Sequence, residues 1–148
     1  IEIKKLLNDI KLKKDCDAIF IDLHGEVASE KQALAYMIDG KVTAVLGTHT
    51  HVPTSDLRVL PNGTAFQTDT GMCGDYDSVI GGNKNCWIEK FQIKNDYKKI
   101  NSSNKSVTLC GAIIKVNKDN GLSSLVEQII IGKVLNNKIP KEELFKKE

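Results

Sequence analysis

Apolar residues in the opening stretch IEIKKLLNDIKLKK recur at helical spacing, with Ile3, Leu6, Leu7 and Ile10 on one side and lysines on the other. An amphipathic helix is predicted over residues 1–14, the lysines forming its solvated face. Because the chain opens on Ile1 inside the pattern, without an initiator Met, the start of this helix is expected upstream. Asp15-Cys16-Asp17 turns the chain into the apolar run Ala18-Ile19-Phe20-Ile21-Asp22-Leu23, which predicts a strand buried on both faces. Gly25–Ser29 leads into a second helix, where Ser29 is the expected N-cap and Gln32 completes a capping box. Ala33, Leu34, Met37 and Ile38 make its expected buried stripe, and Gly40 its stop. The strand Val42–Leu46 follows, so strand, helix and strand predict a parallel pair joined by a right-handed crossover.

Further on, Leu57–Leu60 and Thr64–Thr68 flank Pro61-Asn62-Gly63, the pattern of a bulged hairpin. Residues 69–75 and 81–83 are irregular and rich in glycine, without the G-x-x-x-x-G-K-[ST] of a phosphate loop. Trp87–Ile93 predicts a strand, and residues 94–105 an exposed loop. Val107–Val116 and Leu122–Ile131 are long β-rich runs joined by Asn117–Gly121, a second hairpin signal. Antiparallel strands after parallel ones predict an α/β fold with a mixed sheet or two packed sheets. Residues 132–148 read as a charged tail, with Pro140 at the first turn of a short helix.

Composition narrows the function classes. The 148 residues make one domain's worth of chain, with 21 basic and 19 acidic side chains largely interspersed and a net charge of +2. No basic stripe interleaved with aromatics occurs, so there is no nucleic-acid-binding signature. No apolar stretch reaches the ~18 residues of a membrane span and no signal-peptide pattern is present, which predicts no membrane and a cytoplasmic location. Cys16, Cys73, Cys86 and Cys110 are far apart, in no C-x-x-C pair, and read as reduced thiols.

The candidate chemistry lies in the three histidines. His24 closes the first apolar run, while His49 and His51 follow the second within Gly47-Thr48-His49-Thr50-His51-Val52-Pro53-Thr54. In an extended segment residues i and i+2 point to one side, and parallel strands would bring all three imidazoles to one sheet edge, where open α/β sheets bind ligands. Imidazole is the commonest side-chain metal ligand. Each histidine alone could equally hydrogen-bond in a loop; their joint placement points to a metal site.

Three segments carry a resemblance. Asp22-Leu23-His24-Gly25-Glu26-Val27-Ala28-Ser29-Glu30-Lys31, Gly47–Val52 and Thr68-Asp69-Thr70-Gly71-Met72-Cys73-Gly74 resemble a bacterial branch of the calcineurin-like metallophosphoesterases, described as 2′,3′-cyclic-nucleotide 2′-phosphodiesterases. The likeness implies a β-sandwich flanked by helices, with residues 1–131 as the carboxyl-terminal half of the domain. It also implies a dinuclear site of two divalent ions (Fe, Mn or Zn), His24 and His49 sharing one and His51 serving the other. Thr48 stands where the commoner family pattern has glycine. The family's remaining ligands and its proton-donor histidine have no counterpart here, so no catalytic residue is expected in this chain. The implied substrate is a phosphodiester, with cyclic nucleotides favoured, and the implied partner is the N-terminal half or another copy of the chain. Glu26, Asp69 and Asp22 are candidates to orient the histidines, and Asp75, Asp77 and Ser78 to line the substrate cleft. Two other readings stay open: a mononuclear zinc hydrolase using the three histidines and a water, and a non-catalytic remnant or binding module.

Overall fold

The computed structural model describes residues 2–92 and 99–141. Its elements run α1 (Glu2–Asp9), β1 (Phe20–His24), α2 (Ala28–Met37), β2 (Ala44–Thr48), β3 (Arg58–Val59), β4 (Ala65–Gln67), β5 (Gly74–Asp75), α3 (Lys84–Gln92), β6 (Val107–Val116) and β7 (Ser123–Ile131). They form a mixed α/β fold with two sheets, one of order β1-β2-β4-β3 and one of order β5-β6-β7. The predicted parallel pair is present, with Phe20 opposite Ala44 and His24 opposite Thr48. β4 adds in parallel to β2, and β3 pairs antiparallel with β4 across the Pro61-Asn62-Gly63 turn. The long hairpin β6–β7 runs antiparallel from Leu109 opposite Ile131 to Val116 opposite Ser123.

The core forms where β2 and β4 meet α2. Ala35, Ile38, Val42, Val45, Leu60 and Phe66 are buried there, with Ile3 and Leu7 of α1 and Ile21 and Leu23 of β1 packed against them. Removing the larger of these side chains from water stabilises by about 1.5–3 kcal/mol each, so this layer is the platform for the loops at the strand ends. The second sheet is tied to the first by its turn. Thr43 Oγ1 donates to Gly121 O at 2.7 Å, Ser123 Oγ donates to Thr43 O at 2.8 Å, and Ser123 N donates to Gly63 O at 2.8 Å.

Several expectations are corrected. Helix α1 ends at Asp9 rather than residue 14, because Asp15 Oδ2 accepts from Lys11 N and Leu12 bridges to Cys16 in a tight turn. Of its apolar stripe, Ile3 and Leu7 pack on the core while Leu6 and Ile10 are exposed. β1 is not covered on both faces: Phe20 is 60% exposed, and among the described residues β1 has a neighbouring strand on one side only. Helix α2 starts two residues earlier than predicted, with Val27 in extended conformation at its N-cap and no side-chain cap, so Ser29 and Gln32 form no capping box. Its buried face carries Lys31, Ala35 and Ile38, and Ala33 is exposed. Residues 84–92 are helical, not a strand, because Asn83 Oδ1 accepts from Asn85 N and Cys86 N and starts a helix there. Ile93, residues 94–98 of the predicted loop and residues 142–148 of the predicted terminal helix lie outside the described residues.

Candidate metal centre

The carboxyl ends of β1 and β2 lie side by side, and each delivers histidine. His24 is the last residue of β1, opposite Thr48, and His49 begins the loop after β2. That loop is strained: His49 has φ 125° and His51 φ 66°, both in the left-handed region that side chains seldom adopt. Asp69, 1% exposed, supports the turn from beneath, its Oδ2 accepting from Thr50 N at 2.8 Å and its Oδ1 from Gly71 N at 2.9 Å. His24, Thr48, His49, His51, Asp69, Gly71 and Met72 together line a cavity of about 190 Å³. A larger cleft of about 440 Å³ beside α1 is lined by lysines and apolar residues and has none of this chemistry.

Hydrogen bonds fix which ring nitrogens face the cavity. Thr48 Oγ1 donates to Asp22 Oδ1 at 3.0 Å, and a carboxylate can only accept. The Thr48 oxygen is thereby left to accept from His24 Nδ1–H, 3.0 Å away. The lone pair of His24 then sits on Nε2, which accepts from His49 Nδ1–H at 3.1 Å. The two rings meet edge to face, their centroids 4.9 Å apart. His51 Nδ1 donates to Ile80 O at 3.0 Å and so offers Nε2.

This arrangement fits a divalent cation. Two imidazole nitrogens that share one ion at 2.0–2.1 Å stand about 3.0–3.5 Å apart, and the His24–His49 pair stands 3.1 Å apart. Among the described residues, no three His, Cys, Asp or Glu side chains are grouped so as to hold a single ion.

The other candidates are placed differently. Asp22 reaches His24 only through the Thr48 hydroxyl. Glu26 is exposed on the bend after β1 and does not line the cavity. Asp75, Asp77 and Ser78 fold on one another instead of lining it: Asp77 N and Ser78 Oγ both donate to Asp75, and Lys84 pairs with Asp77 at 2.7 Å. A hydrogen bond from Ser103 and backbone N–H groups of Lys105 and Asp77 hold the Asp75 carboxyl below its ordinary pKa, against its burial. The same loop contributes Ile80, whose carbonyl no sequence signal marks. Tyr76, within the segment expected to line the cleft, turns to the histidine loop instead; its hydroxyl lies 2.9 Å from His51 O and 3.1 Å from Met72 N. Burial, then the neighbouring Cys110 thiol, pushes the Tyr76 hydroxyl pKa far up.

A family model described as YmdB-like protein matches residues 1–129. The chain belongs to the YmdB-like family. It is 42% identical over 113 residues to a Bacillus subtilis protein named 2′,3′-cyclic-nucleotide 2′-phosphodiesterase, covering 76% of the chain and 42% of that protein. A Mycoplasma genitalium relative, named as a candidate phosphatase/phosphodiesterase, is 51% identical over 92 residues, covering 62% of the chain and 31% of the relative. A crystal structure described as a novel phosphatase from Mycoplasma pneumoniae superposes with a TM-score of 0.79 at 34% identity, covering 99% of this chain and 49% of that one. The chain thus spans less than half the length of these relatives.

Proposed function

We propose that this chain carries the histidine side of a dinuclear metal site in a metal-dependent phosphodiesterase of calcineurin-like type. In this reading residues 1–131 are the carboxyl-terminal half of a β-sandwich flanked by helices, and residues 132–148 a charged tail. The observation that carries it is the 3.1 Å approach of His24 Nε2 to His49 Nδ1 beside His51 in one cavity. His24 and His49 would share one ion and His51 would serve its neighbour, with iron, manganese or zinc suited to imidazole. Divalent cations held there supply charge that polarises a phosphoryl oxygen and acidifies water.

The chain's own residues hold the ligands ready. Asp22 and Thr48 set the tautomer of His24, the Ile80 carbonyl sets that of His51, and Asp69 closes the turn between the ligands. The proton donor belongs to the other half, so the chain alone is catalytically incompetent. The edge of β1, unpaired among the described residues, and the exposed Phe20 suit docking of that half, or of a second copy of the chain. A 2′,3′-cyclic nucleotide is the favoured substrate, since the Bacillus relative is named for it. A cytoplasmic location goes with this reading, since unpaired cysteines suit a reducing compartment.

The test is reconstitution. The chain is produced with a polypeptide supplying the remaining half and assayed on 2′,3′-cyclic nucleotides, aryl phosphodiesters and phosphomonoesters. Diester turnover that chelation abolishes is expected, with none from the metal-loaded chain alone. Turnover surviving thorough chelation, or robust turnover by the isolated chain, would overturn the reading.

A further inference from the structure

Lys31 is the only lysine buried among the described residues, at 2% exposure. A buried ammonium is costly unless every donor is met, and an apolar side chain of similar volume is often no worse for stability. Its surroundings show what this cation does instead. From α2 the side chain runs under the ends of β2 and β4, where Nζ donates to Thr48 O at 2.8 Å and to Thr68 O at 3.0 Å. Asp69 Oδ2 lies 3.6 Å away. The three donors of the ammonium thus face three oxygens on the two segments that flank the His49-Thr50-His51 turn.

Both segments lead directly to proposed ligands. Thr48 precedes His49, and Asp69 accepts from Thr50 N between the two histidines. Gly47 shows how close the segments come: a Cβ there would lie 1.8 Å from Thr68 O and 3.1 Å from Lys31 Cδ. Two carbonyls turned toward one point repel each other, and a cation between them removes that repulsion. The left-handed backbone of His49 and His51 begins immediately beyond this clasp.

We infer that Lys31 is a positioning residue, whose ammonium draws Thr48, Thr68 and Asp69 together and so holds the His49 and His51 rings in their ligating places. The inference rests on the metal-site reading for its purpose, but its geometric content can be measured without metal. The chain has three histidines and one tryptophan, so ring ¹⁵N–¹H correlations of the full chain resolve each imidazole, with the Trp87 indole as a spectator.

Lys31→Met is expected to melt cooperatively and to leave the Trp87 signal in place while the His49 and His51 signals move or broaden. Its affinity for zinc, read by competition with a chromophoric chelator, is expected to fall ~10–100-fold, the usual effect of losing a residue that orients a ligand. If the methionine variant does not melt cooperatively, Lys31→Gln, which retains two N–H donors, is examined for the same signals. Wild-type histidine signals and wild-type zinc affinity in a folded variant would overturn the inference. Should the unaltered chain bind no zinc while Lys31→Met still moves the His49 and His51 signals, the metal reading falls and the clasp stands.

Discussion

The hydroxyl of Thr48 stands between a histidine and an aspartate, and its single hydrogen gives the row a direction. Asp22 receives from Thr48, Thr48 from His24, and His24 from His49. Without metal, His49 therefore carries its hydrogen on Nδ1, the nitrogen that would have to bind an ion shared with His24. Metal loading is expected to move that hydrogen to Nε2 of His49 while His24 and His51 keep theirs, which ¹⁵N chemical shifts of the three rings will report. Thr48→Val removes the hydroxyl but keeps the shape. We expect zinc affinity to fall ~10–100-fold, with His24 losing its fixed tautomer, and a titration against a competing chelator checks this. His49→Ala should abolish tight binding altogether.

Among elements, the segment from Thr54 to Thr68 shows how loops are fastened beside β4. The Asp56 carboxylate accepts from Thr54 Oγ1 at 2.6 Å, Thr68 Oγ1 at 2.6 Å and Thr68 N at 3.1 Å, and Arg58 lies 3.3 Å from it. Burial works to raise its pKa, but hydrogen bonds from Thr54 and Thr68 outweigh that and hold it below the ordinary carboxylate value. The folded chain therefore binds this proton more weakly than the unfolded chain. Stability from Asp56 is full above the unfolded carboxylate pKa of about 4 and is lost as pH falls through the lower folded value. Asp56→Asn should cost about 1.5–3 kcal/mol at neutral pH and flatten the acid limb of stability, measured by urea denaturation across pH. For α3, Asn83→Ala should cost about 1 kcal/mol, a loss readable by the same denaturation.

What was legible in the sequence follows from what each residue type does in most settings. Apolar runs at strand length gave both parallel strands, and two β-rich runs about the Asn117–Gly121 turn signal gave the β6–β7 hairpin. The three histidines were legible because each follows an apolar run that ends in a strand. Lys31 was not, since a lysine on a helix normally reads as solvated and its acceptors come from segments 17 and 37 residues away. Helix α3 was missed because Trp87, Ile88 and Phe91 favour strands, whereas the deciding signal was the Asn83 side chain four residues before Trp87. The Ile80 carbonyl leaves no trace in side-chain identity.

At the scale of the whole molecule, Gly121 is where distant parts meet. Its φ is 72°, and a Cβ there would lie 2.7 Å from Leu12 Cδ1 and 2.9 Å from Asp17 O. Gly121→Ala should cost roughly 2–4 kcal/mol from backbone strain and overlap together, measured as a lowered denaturation midpoint. The hydrogen bonds of this turn to Thr43 span 78 and 80 residues of sequence, while β6 and β7 pair with close neighbours in the chain. Contacts of short separation form early and distant ones must wait for loop closure. The hairpin can thus zip up at once, but it has nothing to seat on until β2 and β4 have assembled beside α2. Folding should accordingly show two events in order, pairing of β6 with β7 and then docking of their turn. In pulsed hydrogen exchange, the amide of Ser123, which bonds to Gly63 O, should gain protection later than that of Ala112 in mid-strand.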